Sequence, residues 1–208
     1  MAPSRLQVLG LALSVAGWLG AIVCCALPMW KVAAPVGTNI EVAQNIWEGL
    51  WMNCVNQSTG QMQCNPYDSL LDLPRDFQAA RVLVIISLVV ALVGICAGII
   101  GASCIKSVTT RGNLAVVSGI TFVVSSILLL LTAGWSAHSI IQDVYDHLVA
   151  RDQKRLLGPS IYLAFVAGGL LLLGGVLLCC SWTKASDRYP AALLTATSTA
   201  RQSKGSKA

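Results

Sequence analysis

Residues 45–67 read NIWEGLWMNCVNQSTGQMQCNPY. Two strand-like segments flank Ser58-Thr59-Gly60, a sequence typical of a turn. Antiparallel pairing about Thr59 places Cys54 directly opposite Cys64. Directly opposed Cα atoms lie about 4.5–5.5 Å apart, within the range that a disulfide spans. The stretch therefore predicts a disulfide-bonded hairpin in an oxidising compartment.

The hairpin predicts further structure on either side. We expect one strand over Asn45–Gln57 and a second over Gln61–Tyr67, and Trp30–Ile40 can supply more strands. Downstream, Ser69–Leu73 is typical of a short helix that ends before Pro74. The segment therefore predicts a small antiparallel sheet followed by one or two helical turns.

Four long uncharged stretches surround this region, each of 21 or 22 residues. An α-helix needs about 20 residues to cross the hydrocarbon core of a bilayer. Frequent glycine in the second and fourth stretches favours close packing between helices of one bundle. We predict a membrane all-α four-helix bundle with an extracellular antiparallel β-sheet. The predicted helices are 6–27, 82–102, 114–135 and 161–182.

The overall composition excludes an ordinary cytosolic enzyme. Of the 208 residues, 55% are hydrophobic and 11% are charged, whereas soluble domains carry about 25% charged residues. The mean hydropathy is +0.70. The first apolar stretch exceeds the roughly 7–15 residues of a signal-peptide core, so we predict that it is retained as a membrane helix.

The distribution of charge predicts that both termini are cytoplasmic. Under this topology the inner segments hold eight basic residues and one acid, and the first outer loop holds three basic residues and five acids. Basic residues concentrate on the cytoplasmic side of membrane proteins. The net charge of +5 is thus explained by the membrane topology and gives no support for a nucleic-acid partner. The inner segments are 1–5, 103–113 and a disordered tail at 183–208; the outer loops are 28–81 and 136–160.

The sequence resembles the claudins, the four-helix proteins of tight junctions. Their W…GLW…C…C pattern is matched by Trp30, Gly49-Leu50-Trp51, Cys54 and Cys64, and Arg81 also fits. Longer matching words across 47–86 resemble the barrier-forming subgroup. The short pattern alone is shared with peripheral myelin proteins, epithelial membrane proteins and auxiliary subunits of glutamate receptors.

This resemblance implies a structural protein, not an enzyme, that polymerises in one membrane and pairs across the intercellular gap. In claudins, residues near the two cysteines set charge selectivity. The matching residues Val55, Asn56 and Asn65 are neutral, and Asp68 is the nearest acid. The resemblance therefore predicts a barrier that includes other claudins as partners. The alternatives are a weakly selective channel and an adhesion protein or auxiliary subunit of the wider superfamily.

Lateral polymerisation in claudins joins an apolar knob to an apolar pocket on the neighbouring molecule. The resemblance implies Leu70 as the knob and Val144, Tyr145 and Leu157 as the pocket. Claudins usually carry Phe at the position of Val144, and the smaller side chain removes about 1–1.5 kcal/mol of apolar contact. The alternative for Leu70 is packing against the bilayer or the sheet.

Two other claudin interactions depart from the usual pattern. The chain ends in Lys207-Ala208 rather than Tyr-Val, which argues against docking in a PDZ groove. In the second outer loop, Leu148 matches the enterotoxin-binding motif of some claudins. Asp146 and His147 replace its usual residues and argue against toxin binding.

Remaining motifs concern modification. Cys104, Cys179 and Cys180 lie near the cytoplasmic face and are candidates for palmitoylation, with buried or reduced thiols as the alternative. Asn56 begins an N-x-S sequon, although its place beside the disulfide argues against glycosylation. The two histidines, at 138 and 147, are solitary, and neither a phosphate-binding glycine loop nor a nucleophile–base pair is evident. We predict no metal site and no cofactor.

Overall fold

The computed structural model describes residues 5–35, 45–56, 61–67, 75–103, 108–145 and 153–186. These form four long helices and one antiparallel sheet of five strands, which confirms the predicted four-helix bundle with an antiparallel sheet. All four helices are long and apolar enough to cross a membrane. The helices are α1 (Arg5–Ala26), α2 (Arg75–Ser103), α3 (Val108–Tyr145) and α4 (Pro159–Ser186); the strands are β1 (Lys31–Pro35), β2 (Asn45–Glu48), β3 (Met52–Asn56), β4 (Met62–Pro66) and β5 (Gln153–Leu157).

Two helices extend well beyond the predicted membrane spans. Helix α2 begins at Arg75 rather than residue 82, and α3 continues to Tyr145 rather than ending at residue 135. The 38 residues of α3 measure about 57 Å, nearly twice the hydrocarbon thickness of about 30 Å. Hydropathy marks only the part of a helix that lies in lipid. Beyond residue 135, exposed polar residues such as Gln142 continue the same helix.

Small residues let the helices approach closely. A Cβ on Gly17 of α1 would lie 2.8 Å from the carbonyl oxygen of Ala167 in α4. A Cβ on Gly119 of α3 would lie 2.8 Å from the carbonyl oxygen of Gly175, also in α4. Both distances are shorter than real Cβ contacts allow. Helix α4 therefore packs backbone against backbone on two neighbours, which is how glycine-rich membrane helices associate.

Serine hydroxyls add polar contacts inside the bundle. Ser87 and Ser125 each donate to the backbone carbonyl oxygen of the other, at 2.9 Å in both directions, so α2 and α3 are joined reciprocally. Ser126 donates to the carbonyl oxygen of Gly168 at 2.8 Å and joins α3 to α4. In hydrocarbon such groups need protein partners, because no water is available to satisfy them.

The sheet has the strand order β4-β3-β2-β1-β5. The prediction of one strand over Asn45–Gln57 was wrong: Gly49, Leu50 and Trp51 interrupt it and separate β2 from β3. Upstream, Trp30–Ile40 contributes β1 over Lys31–Pro35, and its remainder lies outside the described residues. The predicted helix at Ser69–Leu73 also lies outside them. Strand β5, from the second loop, was not predicted.

Candidate functional site

Trp30 joins the sheet to the helices. Its side chain is fully buried, and its indole Nε1 donates to the carbonyl oxygen of Cys24 at 2.9 Å. This carbonyl belongs to the last turn of α1, where backbone acceptors lack helical partners. The Trp30 backbone donates to Glu48 in β2 and accepts from Gly158 just before α4, both at 3.0 Å. One residue thus holds α1, the middle of the sheet and the start of α4.

The Gly49-Leu50-Trp51 segment is the tight connection between β2 and β3. The backbone N–H of Gly49 donates to the carbonyl oxygen of Met52 at 3.0 Å. A Cβ on Gly49 would lie 2.3 Å from the Cα of Pro28, so only glycine fits. Leu50 turns inward and is fully buried. The turn is therefore fixed by its packing against the helices.

Arg81 connects this turn to helix α2. It lies in α2, is 8% exposed, and its Nε donates to the carbonyl oxygen of Leu50. The guanidinium also lies 5.0 Å from the ring centroid of Trp51 and 5.5 Å from that of Tyr67, within cation–π range. Arg81 is thus an internal tie between α2 and the sheet.

Tyr67 completes the contact around the turn. Its hydroxyl donates to the carbonyl oxygen of Gly49 at 3.5 Å, a long hydrogen bond. Burial raises the pKa of Tyr67, and the nearby Glu48 raises this pKa further, while Arg81 acts in the opposite direction. The phenol therefore stays protonated at neutral pH and remains able to donate.

The disulfide between Cys54 and Cys64 is confirmed. It links β3 to β4 in the register expected from pairing about Thr59, with the two Cα atoms 4.0 Å apart. Cys54 is fully buried. The covalent link thus fixes the relative register of these two strands.

The pairings assign each sheet residue to one of two faces, because side chains alternate along a strand. Asn53 pairs with Asn65, and Val55 pairs with Gln63, so these four residues share one face of β3 and β4. We call them the neutral strip. Asn56 lies on the opposite face, in line with Cys54.

The sheet face that carries the neutral strip continues across β2 and β1. Asn53 pairs with Glu48, and Glu48 pairs with Lys31. Lys31 is 5% exposed. The acid and the base therefore stand directly opposite each other, an arrangement of opposite charges that stabilises a sheet. On this face of the four strands, the neutral strip forms the outer part and the charged pair lies nearer the centre.

Comparison with known proteins identifies the fold. The family model described as "PMP-22/EMP/MP20/Claudin family" matches residues 4–178. The chain belongs to this family. It is 51% identical to human claudin-4 over 191 residues, which covers 90% of the chain and 91% of that protein. It is 52% identical to human claudin-6, covering 91% of the chain and 88% of that protein, and 50% identical to human claudin-3, covering 89% and 86%.

These relatives confirm the resemblance to claudins. The protein is therefore a claudin, a structural four-span protein of the plasma membrane at tight junctions, and not an enzyme. Of the residues that this resemblance assigns to charge selectivity, Val55 and Asn65 share the neutral strip. Asn56 lies on the other face, and Asp68 lies outside the described residues.

The residues that claudin polymerisation implicates are only partly described. Leu70 lies outside the described residues, and Val144 and Tyr145 form the end of α3. Leu157 on β5 is half-buried and packs against the hydrophobic core. The preceding residue, Leu156, lies on the opposite face and is 56% exposed. Part of the apolar surface of β5 is therefore available to a neighbour.

The predicted modification sites differ in accessibility. Cys180 is exposed, whereas Cys179 is half-buried, and its sulfur faces Gly119, whose added Cβ would lie 2.6 Å away. Cys104 lies outside the described residues. The geometry favours Cys180 over Cys179 as an acylation site. Asn56 is half-exposed, and the rest of its sequon lies outside the described residues.

Proposed function

We propose that this claudin polymerises within one membrane, pairs with strands on the adjacent cell, and seals the paracellular space against ions. The observation that carries the proposal is the neutral strip. Selectivity filters built from side chains use rings of fixed charge to favour one ion sign. Gln63 and Asn65 of the neutral strip are exposed and Val55 is half-exposed, so the strip presents amide and aliphatic groups in place of such a ring.

The charges nearest the neutral strip support the same conclusion. Glu48 and Lys31 share its face as directly opposed residues of opposite charge, so their formal charges sum to zero. A channel through this face would therefore gain little attraction for either ion sign. A weakly selective channel remains the second candidate, because the carboxylate of Glu48 lies on the face concerned.

The proposed topology puts the sheet outside the cell. Arg5 begins α1, and several basic residues follow α4 in the sequence. The start of α1 and the end of α4 lie on the same side of the bundle. The sheet lies at the other end, between the last residues of α1 and the first of α4. The positive-inside rule makes the basic end cytoplasmic and the disulfide-bonded end extracellular.

Lateral polymerisation is proposed through Leu70 on one molecule and the apolar surface around Val144, Tyr145 and Leu157 on the next. Leu157 contributes only its half-buried part, since it packs into its own molecule. Exposed Leu156 lies on the other face of the same strand and adds an apolar contact there.

The test is a conductance and dilution-potential measurement on a monolayer that expresses the chain. We expect lower conductance with little charge selectivity. Asn65→Asp, on the neutral strip, should raise cation permeability and lower anion permeability by about fivefold each, because one charge at contact distance in water supplies about 1 kcal/mol of opposite sign to the two ions. The cation-to-anion permeability ratio should therefore rise about 25-fold.

Asn56→Asp is the matched control, because it adds the same charge to the opposite face of the same sheet. It should leave the ratio unchanged. A strong rise in conductance with marked charge selectivity in the unmodified chain would contradict the barrier. Equal shifts from both variants would contradict the assignment of the neutral strip to the ion path. Absence from cell–cell contacts would favour an auxiliary or adhesion role.

A further inference from the structure

A groove of about 500 Å³ runs along residues 7–19 of α1, beside Ala102 near the C-terminal end of α2. Its walls are apolar except for Gln7, and its size falls within the roughly 300–1,000 Å³ of small-molecule sites. Ala12 and Ala16 form its small-residue centre, Val8 and Leu19 stand at its two ends, and Ala102 contributes from α2. The groove exists because two alanines leave space between larger side chains.

The groove opens toward lipid rather than into the bundle. Val8 and Leu19 are 53% and 52% exposed, and Ala12 and Ala16 are exposed as well. On its inner side, Leu11 packs toward α2, where an added Cβ on Gly98 would lie 3.0 Å from its Cδ1. An occupant would therefore enter sideways from the bilayer.

The length of the groove matches one leaflet. From residue 7 to residue 19, α1 rises about 18 Å, slightly more than half of a hydrocarbon core of about 30 Å. A lipid acyl chain extends from its headgroup to the bilayer centre and has this reach.

A basic residue, Arg5, lies just before the groove. It is exposed and begins α1, on the same helical face as Val8, Ala12 and Ala16, which follow at intervals of three, seven and eleven residues. Arg5 therefore lies on the groove side of α1, one turn before Val8, where the helix begins. A planar guanidinium binds phosphate in a bidentate manner.

We propose that this groove binds one acyl chain of an anionic phospholipid, with Arg5 holding the phosphate-bearing headgroup. The site uses none of the residues of the sheet. Under the proposed topology the lipid belongs to the cytoplasmic leaflet, which is rich in anionic lipids.

The test is photo-crosslinking of the full chain in phosphatidylcholine nanodiscs. These discs contain a small fraction of phosphatidylserine with a diazirine at the end of one acyl chain, and adducts are located by mass spectrometry. Both leaflets carry the probe, so the result does not depend on topology. We expect adducts concentrated on residues 12–19, with phosphatidylserine labelling about fivefold above a phosphatidylcholine probe, the preference that one basic residue supplies near the membrane surface.

Variants separate the two parts of the site. Ala12→Phe with Ala16→Phe should fill the groove and lower labelling about tenfold, whereas Val89→Phe, on an exposed position of α2 that does not line the groove, should have no effect. Arg5→Gln should remove the preference for phosphatidylserine, and Arg188→Gln, the same charge change in the tail, should retain it. Adducts spread evenly over lipid-facing helices, equal labelling by both probes, or crosslinks to a second copy in this groove would overturn the proposal.

Discussion

Arg81 offers a direct measure of how firmly the sheet is joined to the helices. Arg81→Met keeps most of the side-chain volume but removes the charged hydrogen bond to the Leu50 carbonyl oxygen and the contacts with Trp51 and Tyr67. A hydrogen bond from a charged donor is worth about 1.5–3 kcal/mol. Each cation–π contact at a partly exposed ring adds about 0.5–1 kcal/mol. We therefore expect the free energy of opening the sheet to fall by about 3 kcal/mol.

Hydrogen exchange followed by mass spectrometry measures this loss in the full chain in detergent micelles. Opening the sheet exposes the amides of residues 52–56, and each ~1.4 kcal/mol changes the open population tenfold. Arg81→Met should accelerate their exchange about a hundredfold. Amides in the middle of α3, around Phe122 and Leu129, serve as the internal control, since they lie far from this contact and should exchange as before.

Arg81→Lys tests the role of geometry. It keeps the charge, but an ammonium lacks the planar group that contacts two rings and the Nε that reaches Leu50. We expect exchange between that of the unmodified chain and that of Arg81→Met. If Arg81→Met accelerated exchange less than threefold, the assignment of Arg81 as the tie would be refuted.

Gly49→Ala should abolish surface delivery measured by biotinylation, because the new Cβ would lie 2.3 Å from the Cα of Pro28. Gly134→Ala, which meets nothing within 4 Å among the described residues, should leave delivery intact, and normal delivery of both variants would contradict the packing argument. Leu70→Glu should eliminate strands seen by freeze-fracture, and unchanged strands would refute its role as the knob. The sheet should lose stability above pH 10, because the raised pKa of Tyr67 means that the unfolded chain releases its proton first. In Tyr67→Phe, the opening of the sheet, measured by the exchange of residues 52–56, should no longer increase above pH 10. An unchanged increase would point to another titrating group.

Local chemistry made the hairpin predictable. The turn at Ser58-Thr59-Gly60 and the even spacing of Cys54 and Cys64 about Thr59 determine a register without any knowledge of the rest of the chain. The membrane helices were predictable for a similar reason, because an uncharged run of about 20 residues is a property of consecutive residues.

Features that depend on distant contacts were not predictable in this way. The break at Gly49 arises because Pro28 presses against it, and Leu50 is drawn into a core that other elements complete. Strand β5 has little strand propensity in Gln153–Leu157 and forms because β1 offers it an edge. Arg81 was recognised only through the family resemblance, and its contacts with the turn required the structure.

The sheet is completed by residues from two widely separated parts of the chain. One edge of strand β1 pairs with β2, which follows closely in the chain, but its other edge pairs with β5, about 120 residues later. At about 5–20 residues per second, the ribosome needs roughly 6–24 s to make that interval. During biosynthesis the disulfide-bonded hairpin can therefore mature first, while β1 keeps an open edge. Insertion of α3 and delivery of the second loop then close that edge, so arrest between the third and fourth helices would leave an unpaired strand for quality control to detect.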